Sequence, residues 1–151
     1  MRRIVLCLFA LAALGAGARC GDDGGPPLSS EEFVKQSNAI CKDGDVKLAE
    51  KGKELLTNPN TPADEVTEFY LKNAVPNART KLKGIGELNP PSKDKAKVKK
   101  MLDAGKKATD AVEKGLKEQG TAFREASGSD LFKDFDKLAR ELKLTDCATP
   151  S

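Results

Sequence analysis

Ser29-Ser30-Glu31-Glu32-Phe33-Val34-Lys35-Gln36-Ser37-Asn38-Ala39-Ile40-Cys41 is the stretch that decides the fold. Ser29 stands three residues before Glu32, a spacing at which each side chain can accept from the other residue's backbone N–H and start a helix. Phe33, Ser37, Ile40, Gly44, Leu48 and Leu55 then recur on one helical face, which predicts a first helix over about residues 30–57 with Cys41 beside its apolar stripe. Asn58-Pro59-Asn60 ends it.

The same reasoning carries through the chain. Thr61 before Pro62 predicts a second cap with proline in the first turn. Val66, Phe69, Tyr70, Ala74, Ala78, Leu82 and Ile85 form its stripe, within which Pro76 should kink the helix. Asn89-Pro90-Pro91 stops that helix, and Ser92 is expected to cap a third carrying Val98, Met101, Leu102, Gly105, Ala108, Val112 and Leu116. After a glycine- and serine-containing connection at 120–128, Ser129 is expected to cap a last helix with Leu131, Phe132, Phe135, Leu138 and Leu142. No segment alternates as a strand would. Short connections force each helix back along its predecessor, so the expected fold is all-α, an antiparallel four-helix bundle.

The region ahead of the bundle reads as an export signal. Arg2 and Arg3 precede an uncharged run from Ile4 to Ala18, which rises only about 22 Å as a helix and is short for a membrane span. Residues 1–19 are therefore expected to be a signal peptide, 20–30 a flexible glycine- and proline-containing tether, and 31–148 the bundle domain. Two cuts compete. Cys20 before a polar tether reads as the acylated first residue of a bacterial lipoprotein, although Arg19 stands where the lipid-modification signal takes a small residue. Ala16-Gly17-Ala18 is an ordinary small-x-small site that would leave a soluble secreted chain. Arg2, Arg3 and Arg19 account for the formal charge of +3, so a chain beginning at Cys20 is formally neutral and nothing in it calls for nucleic acid.

Cysteine usage fits an oxidising compartment. Cys7 leaves with the signal, and if Cys20 carries lipid, Cys41 and Cys147 remain as a pair expected to form a disulfide. Closing so long a loop is worth about 4–5 kcal/mol on the chain-entropy account. Cys147 lies beyond the last helix and would have to fold back to reach Cys41. The alternatives are two reactive thiols or a bond from either cysteine to Cys20.

Phe33-Val34-x-x-x-Asn38-Ala39-Ile40-Cys41, Val75-Pro76, Leu82 followed by Leu88-Asn89-Pro90-Pro91, and the terminal Leu142-x-Leu144-x-Asp146-Cys147 resemble a family of small secreted or lipid-anchored helical proteins of actinobacteria. The resemblance covers about 115 residues. It implies export, this helix order and the cysteine pair, and it transfers no catalytic residue.

The chain contains no histidine. That removes the serine and cysteine nucleophile systems that need an imidazole base, and histidine-ligated zinc. Asp43 and Asp45 around Gly44, and Asp130, Asp134 and Asp136, do not have calcium-loop register and read as solvated helix faces. Gly84-x-Gly86 reads as a helix ending rather than a phosphate loop, and Tyr70 and Met101 as packing residues rather than haem ligands. No cofactor and no metal is expected. Lys93, Lys97, Lys100 and Lys107 are read as one side of the third helix, a solvated face that could also meet anionic lipid or wall polymer. The expectation is a non-enzymatic module, anchored to the membrane through Cys20, that binds an envelope component or protein or serves a structural role. The alternative is a carrier of a small apolar ligand in the bundle core, for which Pro76, Gly44 and Gly105 are the motive.

Overall fold

The computed structural model describes residues 26–120, 122–123 and 129–149. The expected signal peptide, Cys20 and most of the tether lie outside the described residues. Leu28 is the first docked residue: its N–H donates to Asn89 O at 2.9 Å, and its side chain packs against the core.

Helix α1, Ser30–Thr57, opens with the expected capping box, in which Ser29 Oγ accepts from the Glu32 N–H and the Glu32 carboxylate accepts from the Ser29 N–H, both at 3.2 Å. Cys41 is not beside the buried stripe but in it, 1% exposed, with Phe33, Ser37 and Gly52. The second rod is continuous from 63 to 86, made of α2 (Ala63–Phe69), a π-helical turn (Tyr70–Ala74) and α3 (Val75–Gly86). Pro76 is the physical cause of the π turn. Its ring collides with the carbonyl four residues back and it has no N–H to offer, and the widened turn accommodates both, with the Val75 N–H reaching Tyr70 O. Thr61 does not cap this rod. Pro62 occupies the N-cap position, and Thr61 Oγ1 donates to Leu55 O at 2.7 Å, closing the preceding helix instead.

Helix α4, Lys95–Gln119, starts at Asp94 with no side-chain cap, so Ser92 stays in the turn after Pro91. The last rod opens as a 3-10 turn, Ser129–Phe132, and continues as α5, Lys133–Glu141. The side chain of Ser129 lies outside the described residues. No strand occurs among the described residues.

Contacts between rods give the topology. Gly52 meets Phe69, Gly44 meets Lys81, and Gly84 meets Ile40, so α1 and the second rod are antiparallel. Gly105 of α4 meets Leu82 and Phe135, while Arg79 reaches Asp110 and Glu113 at 2.8 and 2.5 Å. Lys97 pairs with Glu141 at 3.0 Å, setting α5 antiparallel to α4. The bundle is therefore up-down-up-down, as the stripes predict.

A tight reversal ends α5. The Leu144 N–H bonds to Ala139 O at 2.8 Å and the Lys143 N–H to Arg140 O at 3.0 Å, with Lys143 in the left-handed region at φ 62°. This turn sends the tail back onto α1. There the Asn38 carboxamide clamps it from both sides, donating to Lys143 O at 3.3 Å and accepting from the Asp146 N–H at 3.1 Å. Cys147 arrives beside Cys41 with a Cα–Cα separation of 5.1 Å and is bonded to it, closing a loop of 106 residue steps. Phe33, Cys41, Ile85, Val98, Met101, Ala139, Leu142 and Leu144 form the core under this staple.

Candidate functional site

α5 is nine residues long and α1 is 28, so among the described residues the last rod covers only part of the length of α1. The tail bridges α1 and α5 at one end, and beyond that bridge a cleft of about 430 Å³ opens between them. Its walls come from all four rods and the tail: Cys41, Asp45 and Leu48 from α1, Asn77 and Lys81 from α3, Gly105 and Thr109 from α4, Phe132 and Phe135 from the last rod, and Cys147, Ala148 and Thr149 from the tail. A second chamber of about 230 Å³ adjoins it and shares Ala74, Ala78, Thr109 and Phe132 as common wall. Tyr70, Val75, Val112, Leu116, Phe123 and Leu131 complete that chamber, which is apolar almost throughout. Volumes of this order, with apolar walls and a few polar groups, are those of small-molecule sites.

The polar groups gather in the larger chamber. Lys81 Nζ bridges to Asp45 across the α1–α3 contact at 2.5 Å. The contact is possible because Gly44 has no side chain: a Cβ there would stand 2.7 Å from Lys81 Cδ and 3.0 Å from Asn77 Oδ1. Asp136 is buried, 6% exposed, and accepts the Thr149 N–H at 3.0 Å, while Arg140 donates to Thr149 O at 2.6 Å. The tail is thus tied to α5 as well as to α1. Thr109 is buried and donates its hydroxyl proton to Gly105 O at 2.8 Å. The half-buried Asn77 carboxamide makes no hydrogen bond with the described residues.

The residues singled out from sequence fall into separate places. Cys41 and Cys147 are joined and line the cleft. Cys20 lies outside the described residues. Lys93 sits in the turn ahead of α4, Lys97 is held by Glu141, and Lys100 and Lys107 are exposed with no ion pair to the described residues. Gly44 and Gly105 do not open the core by leaving holes. Lys81 and Asn77 occupy the space at Gly44, and Leu82 and Phe135 the space at Gly105, so the glycines let the rods close up. Asp45 is exposed, as expected of a solvated helix face, and pairs with Lys81 from there, whereas Asp136, which reads as solvated, is buried because it accepts the Thr149 N–H of the returning tail. Met101 is fully buried, and Tyr70 lines the smaller chamber. No group of three or more potential metal ligands occurs among the described residues.

The surface carries one charge network of note. Glu113 is held below its ordinary carboxylate value first by Lys117 at 2.7 Å and then by Arg79, while Asp110 and Glu113 hold the Arg79 guanidinium above its own. These groups sit on the outer face of α3 and α4 and make no part of the cleft.

No protein-family model, curated protein or solved structure matches the chain. The functional reading therefore rests on the cleft.

Proposed function

We propose that the chain is an exported helical binding module, held to the membrane through lipid on Cys20, whose cleft carries a small apolar ligand. The observation that supports the carrier reading is the pair of adjoining chambers beside α5, apolar on one side and edged by a few polar groups on the other. The absence of histidine from the chain and of a metal-ligand cluster from the described residues gives no support to a catalytic reading. The buried disulfide fits an oxidising compartment. No helix among the described residues is long and apolar enough to cross a membrane, so attachment would rest on the acylated cysteine.

Native mass spectrometry of the protein purified from its own host tests both halves. A covalent diacylglycerol mass on a chain beginning at Cys20 supports the anchor, and a chain beginning at Arg19 without lipid overturns it. A non-covalent apolar adduct lost on unfolding supports the carrier. Failure of N-phenyl-1-naphthylamine to gain fluorescence with the folded protein overturns it. A second reading, contact with an anionic surface, is favoured by Lys100 and Lys107, which are exposed and have no ion pair to the described residues. Sedimentation with phosphatidylglycerol vesicles that disappears in Lys100→Gln/Lys107→Gln would establish it.

A further inference from the structure

The two chambers meet at a wall to which the described residues contribute four side chains: Ala74 and Ala78 from the second rod, Thr109 from α4 and Phe132 from the last rod. Three of the four are small. Ala74 and Ala78 stand four residues apart on one side of their rod and offer a methyl each. The Thr109 hydroxyl is committed to Gly105 O at 2.8 Å. Phe132 is therefore the one bulky side chain of the common wall among the described residues, and its ring is the part whose removal would join the chambers. The ring is braced. It meets Phe135 edge-on with the centroids 6.4 Å apart, so leaving this position gives up an aromatic contact. Phe135 in turn is buried and takes the space that Gly105 leaves, since a Cβ there would stand 2.8 Å from its ring. A glycine on α4 thus seats one aromatic side chain deeply enough to support the other.

That division sets how much each chamber can hold. The larger one meets solvent where the exposed Asp45 pairs with Lys81. A chain entering there has about 430 Å³ before it reaches the ring, room for about fourteen groups the size of a water, to which a methylene is comparable. Beyond the ring lie about 230 Å³, room for about seven more. Apolar lining continues on both sides, so hydrocarbon is favoured in either chamber and the obstacle between them is steric. We propose, resting on the carrier reading above, that Phe132 is the residue that sets ligand length: the cleft takes a hydrocarbon chain of medium length into the larger chamber and stops it at the ring. The smaller chamber is the extension that a smaller residue at position 132 opens.

The test is displacement of N-phenyl-1-naphthylamine from the full mature chain by saturated lysophosphatidylcholines of eight to eighteen acyl carbons, each below its critical micelle concentration. Affinity should rise about fourfold with each added methylene while the chain is still entering apolar space, and should stop rising at about fourteen carbons or fewer. In Phe132→Ala the rise should continue past that break by up to about seven carbons. A chain two carbons beyond the break should then bind the variant about tenfold more tightly than the wild type. Phe132→Leu, which keeps more of the packing, should move the break in the same direction by less. Val112 lines the smaller chamber and not the larger, so Val112→Phe should leave the wild-type break in place and should cancel the extension when combined with Phe132→Ala. An unchanged break in Phe132→Ala and Phe132→Leu, a break shortened by Val112→Phe alone, or no break up to eighteen carbons in the wild type overturns this proposal and spares the carrier reading. Absence of probe binding overturns both.

Discussion

The end of the bundle where α1 begins and the end where it finishes are built from similar residues and packed differently. At the first end, four rods and the returning tail enclose Ile85, Met101, Ala139 and Leu144 without exposure. At the other, α1 runs on beyond the staple, and Val112, Phe123 and Leu131 are half-buried around a chamber. Apolar composition does not separate the two ends. What separates them is the returning tail and its covalent bond at the first end, so packing density here follows topology rather than residue type.

Breaking the staple should produce the largest effect. Cys41→Ser with Cys147→Ser, or reduction, is expected to cost about 2–5 kcal/mol in denaturant unfolding. Far-UV helicity should survive under native conditions. Amide exchange should accelerate at 142–147 well before it does at 66–78, and equal acceleration at both ends would show that the two are not separately stabilised. Free thiol at both Cys41 and Cys147 in unfolded, unreduced protein would refute the bond itself.

Side-chain deletions sharpen the same contrast. Leu144→Ala, in the sealed core, should cost about 2–5 kcal/mol. Leu131→Ala, on the chamber wall, should cost about 1 kcal/mol or less, because the space around it is already open. Comparable losses, measured by chemical denaturation of both variants, would mean that the chamber is filled in solution.

The reversal after α5 allows a gain rather than a loss. Lys143 holds a left-handed conformation that glycine adopts more readily, so Lys143→Gly should raise stability by about 0.5–1 kcal/mol. Thermal denaturation of the variant would show a higher midpoint, and a lower one would mean that Lys143 makes a compensating contact.

The smallest effect is electrostatic and lies on the outer face. Because the Glu113 carboxyl is depressed in the folded state, its contribution is present at neutral pH and is lost as pH falls through that lowered value. Lys117→Ala should raise the Glu113 titration midpoint more than Arg79→Ala does, as followed by side-chain carboxyl NMR, and salt should reduce both shifts. The opposite ranking would place Arg79 as the dominant partner.

The rods were readable from sequence because their signals are local. The Ser29–Glu32 box, the stripe periods and the cysteine count each operate within a few residues or by parity. The π turn also left a trace: Val66, Tyr70, Ala74, Ala78 and Leu82 are spaced by four, which drifts around an unbroken 3.6-residue helix and is partly absorbed by a wider turn. The cleft left none. Leu131 and Val112 have the periodicity of core residues whether or not another rod covers them. Asp45 and Lys81 lie on different helices, as do Asn38 and the Lys143–Asp146 turn, and no local rule links such pairs. Thr61 and Ser92 show the limit of capping patterns. Each has the right residue type, but Pro62 takes the N-cap position after Thr61, and the helix after Ser92 begins only past Asp94.

Leu28 bonds to Asn89 beside the sealed core, which gives the molecule a polarity. Anything that grips the chain by its N-terminal segment grips it at the closed end. The α1 side of the cleft starts at Cys41, about 16 Å along the helix from Ser30, and runs on to Leu48. On a surface reached through that segment, the sealed core would stand nearest the layer that holds it and the cleft would lie farther out along the flank of the domain.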